Sequence, residues 1–296
     1  MRMDVEYLGE SGFLVSCGEE ALLFDPGEGE EELRMLPGTE ERAAFRRLTV
    51  LVTRAGAAWL SPELRGRCPE GTAFVLDDNF PDEEEGLRLT AGETLEVNGV
   101  RVTACPSTDE GVAFLCEWQG ARIFHAGGLN LWHWRDISTI PEIEAAERAF
   151  NDCLAAIPKE PVDLAFFPLD PRQGSMFEAG ANYFIFSIKP RILIPMHYFH
   201  RGDVALEYAR TASCRTTEVI ALPECGDRLT VEADAEGYLN LSFPEKQPAA
   251  EPQPEAEKPL DMLSEDDPFL ESDLPLPQLM ESEPPAAPPE PESPRP

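Results

Sequence analysis

The chain opens on short apolar runs divided by glycine or acidic breaks. Val5–Leu8, Gly12–Ser16 and Ala21–Phe24 predict three strands of a meander, the last ended by Asp25-Pro26. A helical stretch is expected over Glu30–Leu36 or Glu40–Arg47. Leu48–Thr53 is a continuous β-branched and apolar run, the pattern of a strand covered on both faces. Further strands are expected at Thr72–Leu76, Arg88–Leu89, Thr94–Val97, Arg101–Ala104, Val112–Trp118 and Arg122–His125. Over Pro141–Ile157 the apolar residues Ile143, Ala146, Ala149, Phe150, Cys153, Leu154 and Ile157 recur at helical spacing. Leu164–Pro168 and Arg191–Pro195 read as buried strands flanking a helix over Phe177–Ile188. Val204–Thr211 reads as a helix, and Glu218–Ala221, Asp227–Val231 and Tyr238–Phe243 as closing strands. Many strands, then strand–helix–strand units, then a β finish predict two packed sheets between helical layers; the pattern alone also admits a plain α/β sandwich.

Composition changes the picture at Pro244. The last 53 residues hold 15 of the 29 prolines and 14 acidic residues against 3 basic ones. A segment so poor in apolar residues cannot offset chain entropy by burial, so 244–296 is expected to be a disordered acidic, proline-rich tail behind a domain over 1–243. Within it, leucines, methionines and Phe269 punctuate acidic residues over 260–280, a pattern that suits docking to a protein partner. The whole chain carries a formal charge of −32. So acidic a surface repels phosphates and anionic lipid, which argues against nucleic-acid and membrane partners. The first residues contain no long apolar region of a secretory signal, and no run approaches the roughly 20 apolar residues of a membrane span. Seven cysteines, odd in number and without a CxxC pair, are expected to be reduced, packed thiols of a cytoplasmic protein, most of them in strand-like stretches.

Several stretches share wording with one known family. They are YLGESGFLV at 7–15, LLFDP at 22–26, VLVTRAGAAWLSPEL at 50–64, ARIFHAGGLNLWHW at 121–134, VDLAFFPLDPR at 162–172 and IPMHYF at 194–199. Their order and spacing over about residues 3–243 resemble the metallo-β-lactamase-fold hydrolases, in particular the bacterial branch of the ascorbate-phosphate lactonases. The resemblance implies an α+β, four-layer αββα sandwich. It also implies a metal centre in which imidazoles and carboxylates hold Zn²⁺ or another divalent ion, which sharpens bound water into a nucleophile for ester, lactone or phosphoester hydrolysis.

The ligand positions depart from that family. Its Thr-His-x-His-x-Asp-His loop falls on Thr53, Arg54, Gly56, Ala58 and Trp59, and its bridging aspartate on Gly128. Glu10 stands where a histidine is common. Ser107-Thr108-Asp109-Glu110-Gly111 matches the Ser-Thr-Asp-x-Gly of the branch, and His197 in Pro195-Met196-His197 is the one ligand retained. Gly, Ala and Trp offer no lone pair, and Arg54 at about 4 Å from a cation would repel it by on the order of 4 kcal/mol. One imidazole falls short of the usual three protein ligands. The expectation is therefore a pseudoenzyme without a dinuclear site or bound cofactor, acting in binding or scaffolding. The alternative is a hydrolase with a relocated or mononuclear divalent-metal site around His197, with His133, Asp170, His125 and Asp25 as candidate ligands. His125 and His133 also read as hydrogen-bonded packing residues. A pocket of Arg54, Arg172, Trp59, Trp132 and Asn130, walled by Trp134, Tyr198 and Phe199, would suit a small anionic ligand; equally, Trp59 could plug it.

Overall fold

The alternation of the early strands resolves into two apolar clusters, one on each side of a single sheet. Phe13, Val15, Leu22, Phe24 and Leu51 face the centre of the molecule, whereas Leu14, Leu23, Val50 and Val52 face outward under Leu60 and Leu64. A continuous apolar run is what a strand covered on both faces requires. The computed structural model describes residues 2–27, 45–55, 60–134, 136–234 and 238–244, all within the first of two units, Met1–Ala249.

The first sheet has eight strands, β1 (Arg2–Gly9), β2 (Gly12–Cys17), β3 (Glu20–Phe24), β4 (Arg47–Val52), β5 (Ala73–Asp77), β6 (Leu87–Leu89), β14 (Arg228–Ala233) and β15 (Leu239–Ser242). Their order is β15-β14-β1-β2-β3-β4-β5-β6. The second has seven, β7 (Thr94–Val97), β8 (Val100–Pro106), β9 (Val112–Trp118), β10 (Ala121–His125), β11 (Leu164–Pro168), β12 (Ile192–Met196) and β13 (Glu218–Val219), in the order β13-β12-β11-β10-β9-β8-β7. Strands β1–β3 form the expected antiparallel meander. From β3 to β6 the first sheet runs parallel, as does the second from β10 to β13.

Helix α1 (Pro62–Arg67) puts Leu64 on the outer face of the first sheet. Helices α2 (Ile140–Ala156), α3 (Ala179–Ile188) and α4 (Gly202–Ala212) belong to the second. Phe184 of α3 lies 5.2 Å from Phe124 and 4.6 Å from Phe167, and Phe150 of α2 lies 6.3 Å from Phe167 between ring centroids. The result is the αββα order that the sequence predicts.

Local differences have local causes. Helix α1 was not predicted; it is a single capped turn, with the Ser61 hydroxyl accepting from the Leu64 N–H at 3.1 Å and Pro62 at its start. Ala149, expected on the buried face of α2, is exposed; Phe150, Cys153 and Leu154 carry the contact. Of the cysteines, Cys17, Cys105 and Cys116 lie in strands, Cys153 in α2 and Cys68, Cys214 and Cys225 outside strands; none of the seven is in a disulfide among the described residues. The helix expected over Glu30–Leu36 or Glu40–Arg47 falls almost wholly outside the described residues, with Arg47 opening β4, and the 244–296 tail lies outside them beyond Pro244. No helix among the described residues is long and apolar enough to cross a membrane.

Candidate functional site

Parallel strands deliver their C-terminal ends to one edge of each sheet, the place where open α/β sheets carry their ligand sites. Asp25 follows β3, Thr53 and Arg54 follow β4, His125 ends β10, and Asp170 and His197 follow β11 and β12. The β1–β2 turn adds Glu10 and Ser11, and the loop before β9 adds Asp109. Ser11, Asp25, Thr53, Arg54, Asp109, Gly127, Gly128, Trp132 and His197 line a cavity of about 20 Å³, room for one water molecule or one small ion.

Asp25 is a fully committed side chain. It is 2% exposed, and its two carboxylate oxygens accept from the Thr53 N–H at 2.8 Å and the Thr53 hydroxyl at 2.7 Å. Burial pushes its carboxyl above the usual range, opposed by His125, whose Nδ1 lies 3.7 Å away. Burial likewise pushes the His125 imidazole down, so this pair is disfavoured as an ion pair. Both His125 nitrogens are engaged: Nε2 meets the Ser11 carbonyl at 2.8 Å, and Nδ1 accepts from the Gly127 N–H at 3.2 Å. Its ring stacks on Phe24 at 5.1 Å. A neutral Nε2–H tautomer satisfies both contacts and leaves no lone pair for a metal.

Arg54 and Asp109 line the cavity and face each other, with Nη1 3.7 Å from Oδ2. A Cβ placed on Gly128 would stand 3.0 Å from the Asp109 Cβ and 3.2 Å from its Oδ2, so glycine is the residue that lets the Asp109 side chain lie here. Trp132 donates its indole N–H to the Gly128 carbonyl at 2.7 Å and stacks on the half-exposed Trp134.

His197 closes the opposite wall. Its Nδ1 lies 3.8 Å from Glu10 Oε2 and its Nε2 lies 3.9 Å from Asp170 Oδ2, both beyond hydrogen-bond length. Burial lowers its pKa to about 4, against the pull of Asp170. Asp170 is held by Arg172 through Nε at 2.9 Å and Nη2 at 2.7 Å, and the guanidinium lies 3.8 Å from the centre of the Phe199 ring. Glu10, Asp25, His197, Phe199 and His200 all have positive φ although none is glycine. Such concentrated backbone strain persists only where surrounding contacts enforce it, and it accumulates at functional sites.

The structure brings together some of the residues singled out in the sequence and separates others. Asp25, Arg54, Gly128, Trp132 and His197 share the cavity; Gly56, Ala58 and Trp59 lie outside the described residues. Arg172 and Asn130 do not line this cavity: Arg172 is bound to Asp170, and Asn130 is buried, donating to Gln173 at 3.0 Å and accepting from the Leu131 N–H at 2.8 Å. Tyr198 turns away to donate to the Leu222 carbonyl. His133 does not line the cavity, and its buried Nδ1 has no partner among the described residues. Sequence reasoning missed Thr53 as the clamp on Asp25 and Asp109 as the partner of Arg54. A fixed cation in a half-buried loop signals the need for such a carboxylate.

These groups do not fit the divalent ion that the resemblance implies. His125 and Asp25 are satisfied by protein, Asp109 faces a guanidinium, and no group of three or more His, Cys, Asp or Glu among the described residues is placed to hold a metal ion.

No protein-family model matches the sequence, and no curated protein matches it. Solved structures do. The metallo hydrolase Igni18 of the hyperthermophilic archaeon Ignicoccus hospitalis superposes with a TM-score of 0.53 at 16% identity, over 78% of this chain and 99% of that one. The metallo-β-lactamase fold protein YhfI of Bacillus subtilis superposes with a TM-score of 0.51 at 13% identity, over 77% and 99%. With two mixed sheets packed face to face, helices outside them and a cavity at the strand ends, this chain has the metallo-β-lactamase fold.

Proposed function

We propose that this chain is a non-hydrolytic member of the metallo-β-lactamase fold that works by binding or scaffolding. The Arg54–Asp109 pair, packed on Gly128 inside the strand-end cavity, supports this reading most directly. A guanidinium and its carboxylate take the volume and the charge balance that the fold elsewhere gives to a metal ion and its ligands. The segment 260–280, with acidic residues set among Leu263, Phe269, Leu270 and Leu274, is then the part suited to hold a protein partner. The test is metal analysis of the full-length protein, with assays of ester, lactone and phosphoester hydrolysis in the presence of Zn²⁺, Mn²⁺ or Fe²⁺. We expect metal well below one equivalent and no turnover that a chelator abolishes. A full equivalent of metal, lost in His197→Ala together with activity, overturns the reading. Pull-downs with and without residues 244–296 test the partner role of the tail.

A second reading, a mononuclear hydrolase centred on His197, draws on the 3.9 Å approach of Asp170 Oδ2 to its Nε2. It requires Asp170 to exchange the Arg172 fork for a metal ion. Arg172→Ala distinguishes the two: it creates metal-dependent turnover only if that site is latent.

A further inference from the structure

A cleft on the outer, helical side of the second sheet stands apart from the strand-end cavity. It lies between the C-terminal ends of α2 and α3 and is lined by Asn151, Leu154, Ile157, Lys159, Ser187 and Lys189 among others, with a volume of about 560 Å³. That is within the range of small-molecule sites, roughly 300–1,000 Å³.

Its lysines are distinctive. Residues 1–243 contain 19 arginines but only two lysines, and both lysines are in this cleft. Many arginines elsewhere on the surface are matched to carboxylates, as in Arg65–Glu84 at 2.9 Å, Arg201–Asp203 at 2.8 Å and Arg191–Asp163 at 3.3 Å. Lys159 and Lys189 have no carboxylate within ion-pair distance among the described residues. Both lysines thus line one cleft of a chain whose net charge is −32. The one acid in the cleft, Glu160, is matched by Arg122, whose Nη1 lies 3.1 Å from Glu160 Oε2. The two helix ends each contribute roughly half a negative charge, which two ammonium groups exceed. The cleft is therefore net positive on an acidic body, with a wall made apolar by Leu154, Ala155, Ile157, Pro158 and Ile188.

We infer that this cleft binds a small organic phosphate, its phosphate between Lys159 and Lys189 and its apolar part against Leu154, Ile157 and Ile188. The choice of phosphate follows from the cations. A carboxylate carries one negative charge, which a single cation matches, whereas a phosphate monoester carries about −1.5 to −2 at neutral pH, which calls for two. A tetrahedral phosphate suits two ammonium point charges, with the Ser187 hydroxyl and the Asn151 amide available as donors.

The test is isothermal titration of the full chain with 1-naphthyl phosphate, inorganic pyrophosphate and naphthalene-1-carboxylate at two salt concentrations. We expect saturable 1:1 binding of naphthyl phosphate that weakens with salt, weaker binding of pyrophosphate, and weaker still of the carboxylate. The exposed positions allow Lys159→Gln/Lys189→Gln without loss of fold, which thermal melting checks; this variant should bind about tenfold or more weakly. Lys159→Arg/Lys189→Arg should keep the charge and recover only part of the affinity. His197→Ala should bind as the parent does, which separates this cleft from the strand-end cavity. The inference is overturned by carboxylate binding as tightly as phosphate, by an unaffected double glutamine variant, or by no saturation up to about 10 mM ligand.

Discussion

Gly128→Asp restores the one carboxylate that the family resemblance places at the centre of its metal site, and so tests directly what occupies that centre here. The new Cβ would lie 3.0 Å from the Asp109 Cβ and 3.2 Å from Oδ2, tighter than ordinary contact, so Asp109 must move. Displacing a packed neighbour costs about 1–2 kcal/mol. The added carboxylate also shares Arg54 with Asp109, whose side chain is 41% exposed. At about 4 Å and an effective dielectric near 20 the bare carboxylate repulsion is about 4 kcal/mol, and attraction to Arg54 with solvent screening reduces the net to about 1 kcal/mol. The expected destabilisation is thus about 2–3 kcal/mol, read from urea unfolding midpoints. Gly128→Ala isolates the steric part at about 1–2 kcal/mol. Adding Asp109→Asn to Gly128→Asp should return about 1 kcal/mol, because the like-charge part disappears. The decisive measurement is the same unfolding curve with Zn²⁺. An ion held at one hundred times its dissociation constant would stabilise the variant by about 2.7 kcal/mol. No such rise is expected, because Gly56, Ala58 and Trp59 supply no lone pair and the new carboxylate with His197 falls short of three protein ligands. A zinc-dependent rise in Gly128→Asp refutes the reasoning, since it would mean that the ligand geometry survives beneath a single substitution.

Three other outcomes follow from the same geometry. Asp25→Ala leaves the Thr53 N–H and hydroxyl buried without an acceptor and should cost about 3 kcal/mol or more in chemical unfolding, whereas Asp25→Asn, close in shape to the protonated acid that burial favours, should cost about 1–2 kcal/mol. Gly111→Ala places a Cβ 2.0 Å from the Thr53 carbonyl oxygen at a φ of +88° and should lower stability by about 2–4 kcal/mol. His197 has a folded pKa lowered to about 4, so the unfolded chain binds its proton first as pH falls, and stability is lost from about pH 6.5 down to about 4, by at most about 3 kcal/mol. His197→Gln should flatten the stability profile in that window, and an unchanged acid limb would mean that burial does not hold this imidazole neutral.

How much of this was legible beforehand depended on the range over which each feature is encoded. The strand β4 announces itself because all its side chains from Leu48 onward are buried, and α2 because Phe150, Cys153 and Leu154 recur on one face. Helix α1 escaped notice because one turn has no periodicity to read; its only marks are Ser61 and Pro62. The family wording falls at the ends of β3, β4, β10 and β12, where the cavity lies. It could not say that Asp25 would be clamped by Thr53, or that Asn130 would turn inward to Gln173 beneath Gly180, where a Cβ would stand 1.9 Å from its Oδ1. Those relations exist only once separate segments have been brought side by side.

A metal centre in such a fold would also be a cross-link, because one ion ties several loops to one point. In this chain protein contacts join the same loops one by one. Asp25 joins the end of β3 to the end of β4 through Thr53, and Arg54 joins β4 to the loop before β9 through Asp109. The Glu10 carbonyl accepts from the His197 N–H at 2.8 Å, and Asp170 is locked to Arg172, which lies over Phe199. Each contact requires the residue that replaced or neighbours a ligand: Arg54 needs Asp109, and Asp109 needs Gly128. Reverting any one position therefore breaks a tie without rebuilding the ion's full set of donors. Loops held in this way can retain strained backbone at Glu10, Asp25 and His197.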